Sequence, residues 1–142
     1  MVSTNSFPET SNPPGVAPPS KPTFSHVSTF TIGRAKIITV AGQVGIAPDG
    51  TIPSTFTEQV SIAIQNVKLC LAAAGATPRN IMTATHYVVD YDPAEKTRQE
   101  LWAKFLGGAT PPGTLVPVEK LAGPGLLFEV EVMAVMEVDA ED

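Results

Sequence analysis

From Phe24 onward, apolar positions along the chain follow two rhythms. Alternation marks "HVSTFTI" and "AKIITVAG" as two short strands that meet at Gly33-Arg34, a hairpin signal. The loop "GQVGIAPDGTIP" follows, with a tight turn expected at Asp49-Gly50. The rhythm then lengthens: Phe56, Val60, Ala63, Val67, Leu71 and Ala74 recur at helical spacing and form one apolar stripe. Thr55 and Glu58 stand at capping-box spacing before that stripe, and Gly75 stops it. "NIMTATHYVVDY" returns to strand, rich in β-branched and aromatic residues. Asp92-Pro93 is expected to open a second helix, with Asp as cap and Pro at the first position. Leu101, Trp102, Phe105 and Leu106 give that helix its buried side, and Gly107-Gly108 ends it. Strands at Thr114–Val118 and Leu126–Val138 close the chain.

The order β-β-α-β-α-β-β predicts an α+β, two-layer domain, with two helices on one face of a mixed sheet of four to five strands. The last strand describes both faces, because strand side chains alternate. Phe128, Val130, Val132, Ala134 and Met136 make an unbroken apolar row for the helices. Leu127, Glu129, Glu131, Met133 and Val135 point the other way, too apolar a set for a solvated sheet surface. A second subunit is expected to cover this face. Two carboxylates then lie at an interface, where an unpaired charge is costly, so each needs a partner or a task.

Residues 1–23 are of different composition. "SFPETSNPPGVAPPSKPTF" is rich in Pro, Ser, Thr and Asn and poor in apolar groups, which predicts a flexible arm ahead of a folded domain over 24–142. It has neither the basic nor the apolar region of a secretory signal, and no stretch of the chain is apolar for long enough to span a membrane. A net charge of −5, without any basic run, argues against nucleic acid as a partner. The single cysteine, Cys70, precludes an internal disulfide and fits a reducing, cytoplasmic setting. It lies beside the helical stripe and reads as a buried, inert thiol. The histidines and the cysteine show no metal-ligand spacing, so neither metal nor cofactor is expected.

The segments "AGQVGIAPDG", "TEQVSIAIQNVKLCLAAAG", "HYVVDY", "PPGTLVPVEKL" and "FEVEVMAV", in this order, resemble the RidA (YjgF/L-PSP) family over about residues 24 to 137. Phe24-Ser25-His26 is similar to that family's early Tyr-Ser-His-type segment. The resemblance implies a chorismate-mutase-like fold and a homotrimer with small-molecule clefts between subunits. It also implies cofactor-free hydrolysis of reactive enamines and imines to ketoacids and ammonia. It places Glu129 as the carboxylate that orients the attacking water, and Phe24, His26, Ala41, Gly42, Gln43, Gly113, Thr114 and Leu115 as lining the substrate.

Three of these positions depart from the family pattern. The family's Pro-Ala-Arg-Ser/Thr is here Pro111-Pro112-Gly113-Thr114, so the arginine that grips the substrate carboxylate is replaced by glycine. A guanidinium holds a carboxylate through two parallel charge-assisted bonds, and glycine offers none. Ala41 lacks the family's hydroxyl, and Leu115 stands at a polar position. A larger, more apolar cleft suits a substrate without an amino-acid carboxylate. The leading expectation is a small-molecule enzyme that uses Glu129 for proton transfer or water activation on an enol, imine, enamine or other conjugated metabolite. The alternative is a non-catalytic trimer that binds a ligand or acts as a chaperone. Deamination of 2-iminobutanoate or 2-iminopropanoate comes third. Glu129 also reads as an intersubunit anchor, and Glu131 as structural. His26 and His86 read first as ordinary strand residues, His26 having the stronger case because its segment matches the cleft-lining one. Arg34 and Lys36 are expected in solvent and Trp102 in the core.

Overall fold

The computed structural model describes residues 6–139. They form strands β1 (Glu9–Ser11), β2 (Val27–Ile32) and β3 (Ala35–Val44), helix α1 (Phe56–Ala73), strand β4 (Ile81–Val89), helix α2 (Thr97–Leu106), and strands β5 (Gly113–Val118) and β6 (Phe128–Glu137). One six-stranded sheet runs β1-β2-β3-β6-β4-β5, antiparallel except for the parallel β4–β5 pair. Both helices pack on one face, so the domain is the two-layer α+β form that the order of elements predicts.

Helix α1 begins where the spacing places it. The Thr55 hydroxyl accepts from Glu58 N at 3.2 Å and donates to the Glu58 carboxylate at 3.1 Å. At the other end Gly75 takes φ +85°, and Gly75 N and Ala76 N close the last carbonyls. Lys36 Nζ donates to Ala74 O at 2.7 Å, which puts a cation on the negative end of the helix rather than free in solvent. The stripe residues Val60, Ala63, Val67 and Leu71 are buried against Ile38, Val40, Phe128, Val130 and Val132. Cys70 is buried with them, and burial pushes its thiol up to about 11, so it stays protonated and inert.

Two expectations need correction. Helix α2 starts at Thr97, not at Asp92-Pro93. Asp92 does accept from Ala94 N at 2.9 Å, and Glu95 N bonds Asp92 O, but this closes a single turn. The Glu95 carboxylate then takes Thr97 N and begins the helix proper. The N-terminal segment is not a detached arm either. Its residues 9–11 extend the sheet beside β2, in the register Glu9↔Thr29. Asn12 Oδ1 accepts from His26 N at 2.8 Å, Ala17 O bonds the His26 ring at 2.7 Å, and Val16 is in the core. A segment too polar to build a core needs only backbone bonds and one apolar anchor when a sheet edge already awaits it. Residues 1–5 of that arm lie outside the described residues.

Candidate functional site on the open sheet face

Register fixes which residues share the face away from the helices. Glu129 stands opposite Tyr87 on β4 and Val44 on β3, and Glu131 opposite Thr85. Met133, Val135, Thr39 and Ile37 continue the same face. The helix-facing row Phe128, Val130, Val132 and Ala134 is buried, whereas Leu127, Glu129, Met133 and Val135 are half-exposed.

A break in β3 makes room for Glu129. Pairing with β6 jumps from Val40↔Val132 to Gln43↔Val130, leaving Ala41 and Gly42 as a bulge. The Glu129 carboxylate lies against Gly42 so closely that a β-carbon there would fall 2.6 Å from Cδ and 2.9 Å from Cγ. Only glycine at position 42 leaves that space. Burial first, and the Glu131 charge second, raise the Glu129 pKa above the ordinary carboxylate value. Glu131 is engaged differently, accepting from Tyr87 Oη at 2.8 Å at the surface.

The bulge is held from behind by side chains. Gln43 is buried and donates both amide hydrogens, to Ala41 O at 3.0 Å and to His26 Nδ1 at 3.1 Å. His26 Nε2 therefore carries the proton that Ala17 O receives. His26 thus supports the bulge, and Phe24 packs edge-on against its ring with centroids 6.4 Å apart. Ser25, His26, Ala41 and Glu131 also line an open cavity of about 350 Å³.

The other residues singled out from sequence lie apart. Gly113 and Thr114 are on the edge strand β5, two strands from β6 and so about 10 Å across the sheet from it. Thr114 pairs with Thr85 on the open face, but Leu115 pairs with His86 on the helix side and packs against the core. The structure thus places Leu115 away from any cleft on the Glu129 face of its own subunit. Gly113 has open space around it, with Ala84 O the nearest neighbour at 3.7 Å from an added β-carbon.

Sequence reasoning missed the buried amides. Gln59 on α1 donates to Pro53 O at 2.9 Å and Gly125 O at 2.8 Å, and accepts from Leu127 N at 2.8 Å. It fixes the loop that delivers Glu129. Asn66 donates to Val44 O at 3.2 Å and steadies the end of β3. A polar residue on the buried side of an amphipathic helix was the available signal. His86, an ordinary strand residue by its sequence, is buried among aromatic rings on the helix side. Among the described residues no group of His, Cys, Asp or Glu is arranged to hold a metal ion.

The fold that carries this site is shared with known proteins over most of the chain. The family model described as Endoribonuclease L-PSP matches residues 16–136. The chain belongs to this L-PSP (YjgF/RidA) family. The L-PSP match begins inside the N-terminal segment, in agreement with the docking of Val16. The RutC family protein YjgH of Escherichia coli K12 is 33% identical over 113 residues, covering 77% of this chain and 82% of that protein. A Rid family protein of unknown function from Yersinia pestis, YyfA, superposes with a TM-score of 0.73 at 26% identity, covering 83% of this chain and 91% of the other. The E. coli protein TdcF, solved with bound serine, has the same fold, with a TM-score of 0.73 at 24% identity over 93% of this chain and 99% of that one. Among the described residues no helix is long and apolar enough to cross a membrane.

Proposed function

We propose that this chain is a cofactor-independent enzyme acting on a small enol, imine or enamine-type metabolite, with Glu129 moving the proton or activating the water. The supporting observation is the seating of Glu129: a half-exposed carboxylate laid over the Gly42 bulge, its pKa raised by burial and by Glu131. A carboxyl group tuned toward neutrality exchanges protons more effectively at physiological pH than an ordinary one. The apolar side chains Leu127, Met133 and Val135 on the open face support its burial against further copies, in a homotrimer with the cleft between subunits.

Gly113 makes standard 2-imino acid deamination a poor fit. Loss of a charge-assisted bond to a substrate carboxylate costs about 1.5–3 kcal/mol, or roughly ten- to a hundredfold in rate. The test is a metabolite screen by thermal shift, followed by turnover of the hits and of 2-iminobutanoate with wild type and Glu129→Gln. Glu129→Gln is expected to keep the trimer by light scattering and to lose on the order of 10²–10⁴ in rate. Unchanged turnover would remove Glu129 from the mechanism, and a stable monomer would remove the shared cleft.

A further inference from the structure

Arg98, on the first turn of α2, is a half-buried cation whose direct side-chain bond goes to a neutral ring. Its Nη1 donates to His86 Nδ1 at 2.8 Å, and among the described residues no carboxylate forms an ion pair with it. The His86 bond cancels no charge, because burial, with Arg98 adding to it, holds that imidazole near a pKa of about 4 and therefore neutral. Burial lowers the guanidinium's own pKa as well, opposed electrostatically by Tyr91 and Glu95. An arginine carries five N–H donors, so most of this fork is unused.

Arg98 lines a cavity of about 200 Å³ at the end of the sheet, together with Phe56, Val88, Val89, Tyr91 and Leu127. That volume suits one ring with a short substituent, since a cavity of about 150 Å³ takes up benzene. The rim also carries Asp90, Asp92 and Glu95. Asp92 and Glu95 are tied to backbone N–H groups at the start of α2, and Asp90 is exposed in left-handed backbone with φ 52°. The apolar walls strengthen whatever charge pair forms at the guanidinium, and a bound anion competes there with Glu95, which already acts on Arg98 electrostatically.

We propose that this cavity binds a small monoanion with an apolar body, its carboxylate on the Arg98 fork and its ring or branched chain against Phe56, Val88 and Leu127. The site would supply the cation that Gly113 lacks, at a different place. Leu127 precedes Glu129 by two residues, about 7 Å along the strand. As far as it concerns the substrate, this rests on the functional reading above. A substrate anchored at Arg98 then reaches Glu129 only when several bonds separate its acid group from its reacting atom, unlike a 2-imino acid.

Phenylacetate, phenylacetamide and phenethylamine, titrated calorimetrically into the full chain, test the site without any turnover. Phenylacetate is expected to bind at least tenfold more tightly than the amide or the amine. Arg98→Gln should weaken phenylacetate ten- to a hundredfold and barely change the amide, with Arg98→Lys in between and serving if Arg98→Gln fails to fold. Equal affinity for acid and amide, preference for the amine, or unchanged phenylacetate affinity in both variants would overturn the proposal. Glu129→Gln separates the two readings: it should bind phenylacetate like wild type even where its turnover is lost.

Discussion

Acidification should destabilise this fold through His86 in a pH window that opens above ordinary carboxylate titration and runs down into it. The imidazole is 5% exposed, edge-on to Trp102 at 4.6 Å and Phe128 at 5.4 Å, with Arg98 donating to Nδ1. Burial and the Arg98 charge lower its pKa from 6.5 to about 4. An unfolded chain takes up this proton near pH 6.5, and the folded chain resists it until about pH 4. The stability owed to neutral His86 is therefore complete above pH 6.5, falls as the pH drops toward 4, and is gone below. At about 1.4 kcal/mol per pH unit the loss is on the order of 3 kcal/mol, a large part of a domain's stability. The raised pKa of Glu129 works in the opposite direction, so the group must be isolated by difference. Urea unfolding of wild type and His86→Gln, followed by Trp102 fluorescence at fixed protein concentration, provides that difference at pH 7.5 and pH 4.5. The advantage of wild type should shrink by about 2–3 kcal/mol between the two. An advantage independent of pH would mean that the histidine is solvated, and one that grows on acidification would mean that it is paired with an acid.

Two further outcomes test the supports of the site. Removing residues 1–17 takes away β1, the buried Val16 and the carbonyl on His26 Nε2; burial of the valine alone is worth about 1.5–3 kcal/mol, so the melting temperature should fall by several degrees, and an unchanged value would return this segment to the status of an arm. Gly42→Ala places a β-carbon against the Glu129 carboxylate; because a flexible side-chain end can swing aside, the variant should stay folded and lose function as Glu129→Gln does, and full turnover would show that the seat over Gly42 is unimportant.

The elements visible in the sequence are those whose signals are local. The α1 stripe with its Thr55 cap, and the alternation along Phe128–Met136, depend on spacing within one segment, and the structure reproduces both. The start of α2 was misplaced because Asp92-Pro93 satisfies the rule for a helix start and for an isolated turn equally well. The docking of residues 9–17 was invisible because it depends on the exposed edge of β2, far away in sequence. The site was legible in part. Strand parity separates Glu129 from the core, but the parallel pairing of β4 and β5 decides that Leu115 follows His86 to the helix side. Arg98 gave no signal, since an arginine early in a helix normally faces water and only packing shows that this one lines a cavity.

The most direct test of the central claim is the ionisation of Glu129 itself. Its side-chain carboxyl carbon can be followed by ¹³C NMR against pH in the full chain, with Glu129→Gln assigning the resonance. Desolvation over the Gly42 bulge, together with the Glu131 charge, requires a midpoint above 4.5, and Glu131→Gln should bring it partway down. A midpoint at or below 4.5 would show a solvated or paired carboxylate, and an acid/base role for Glu129 would then be contradicted.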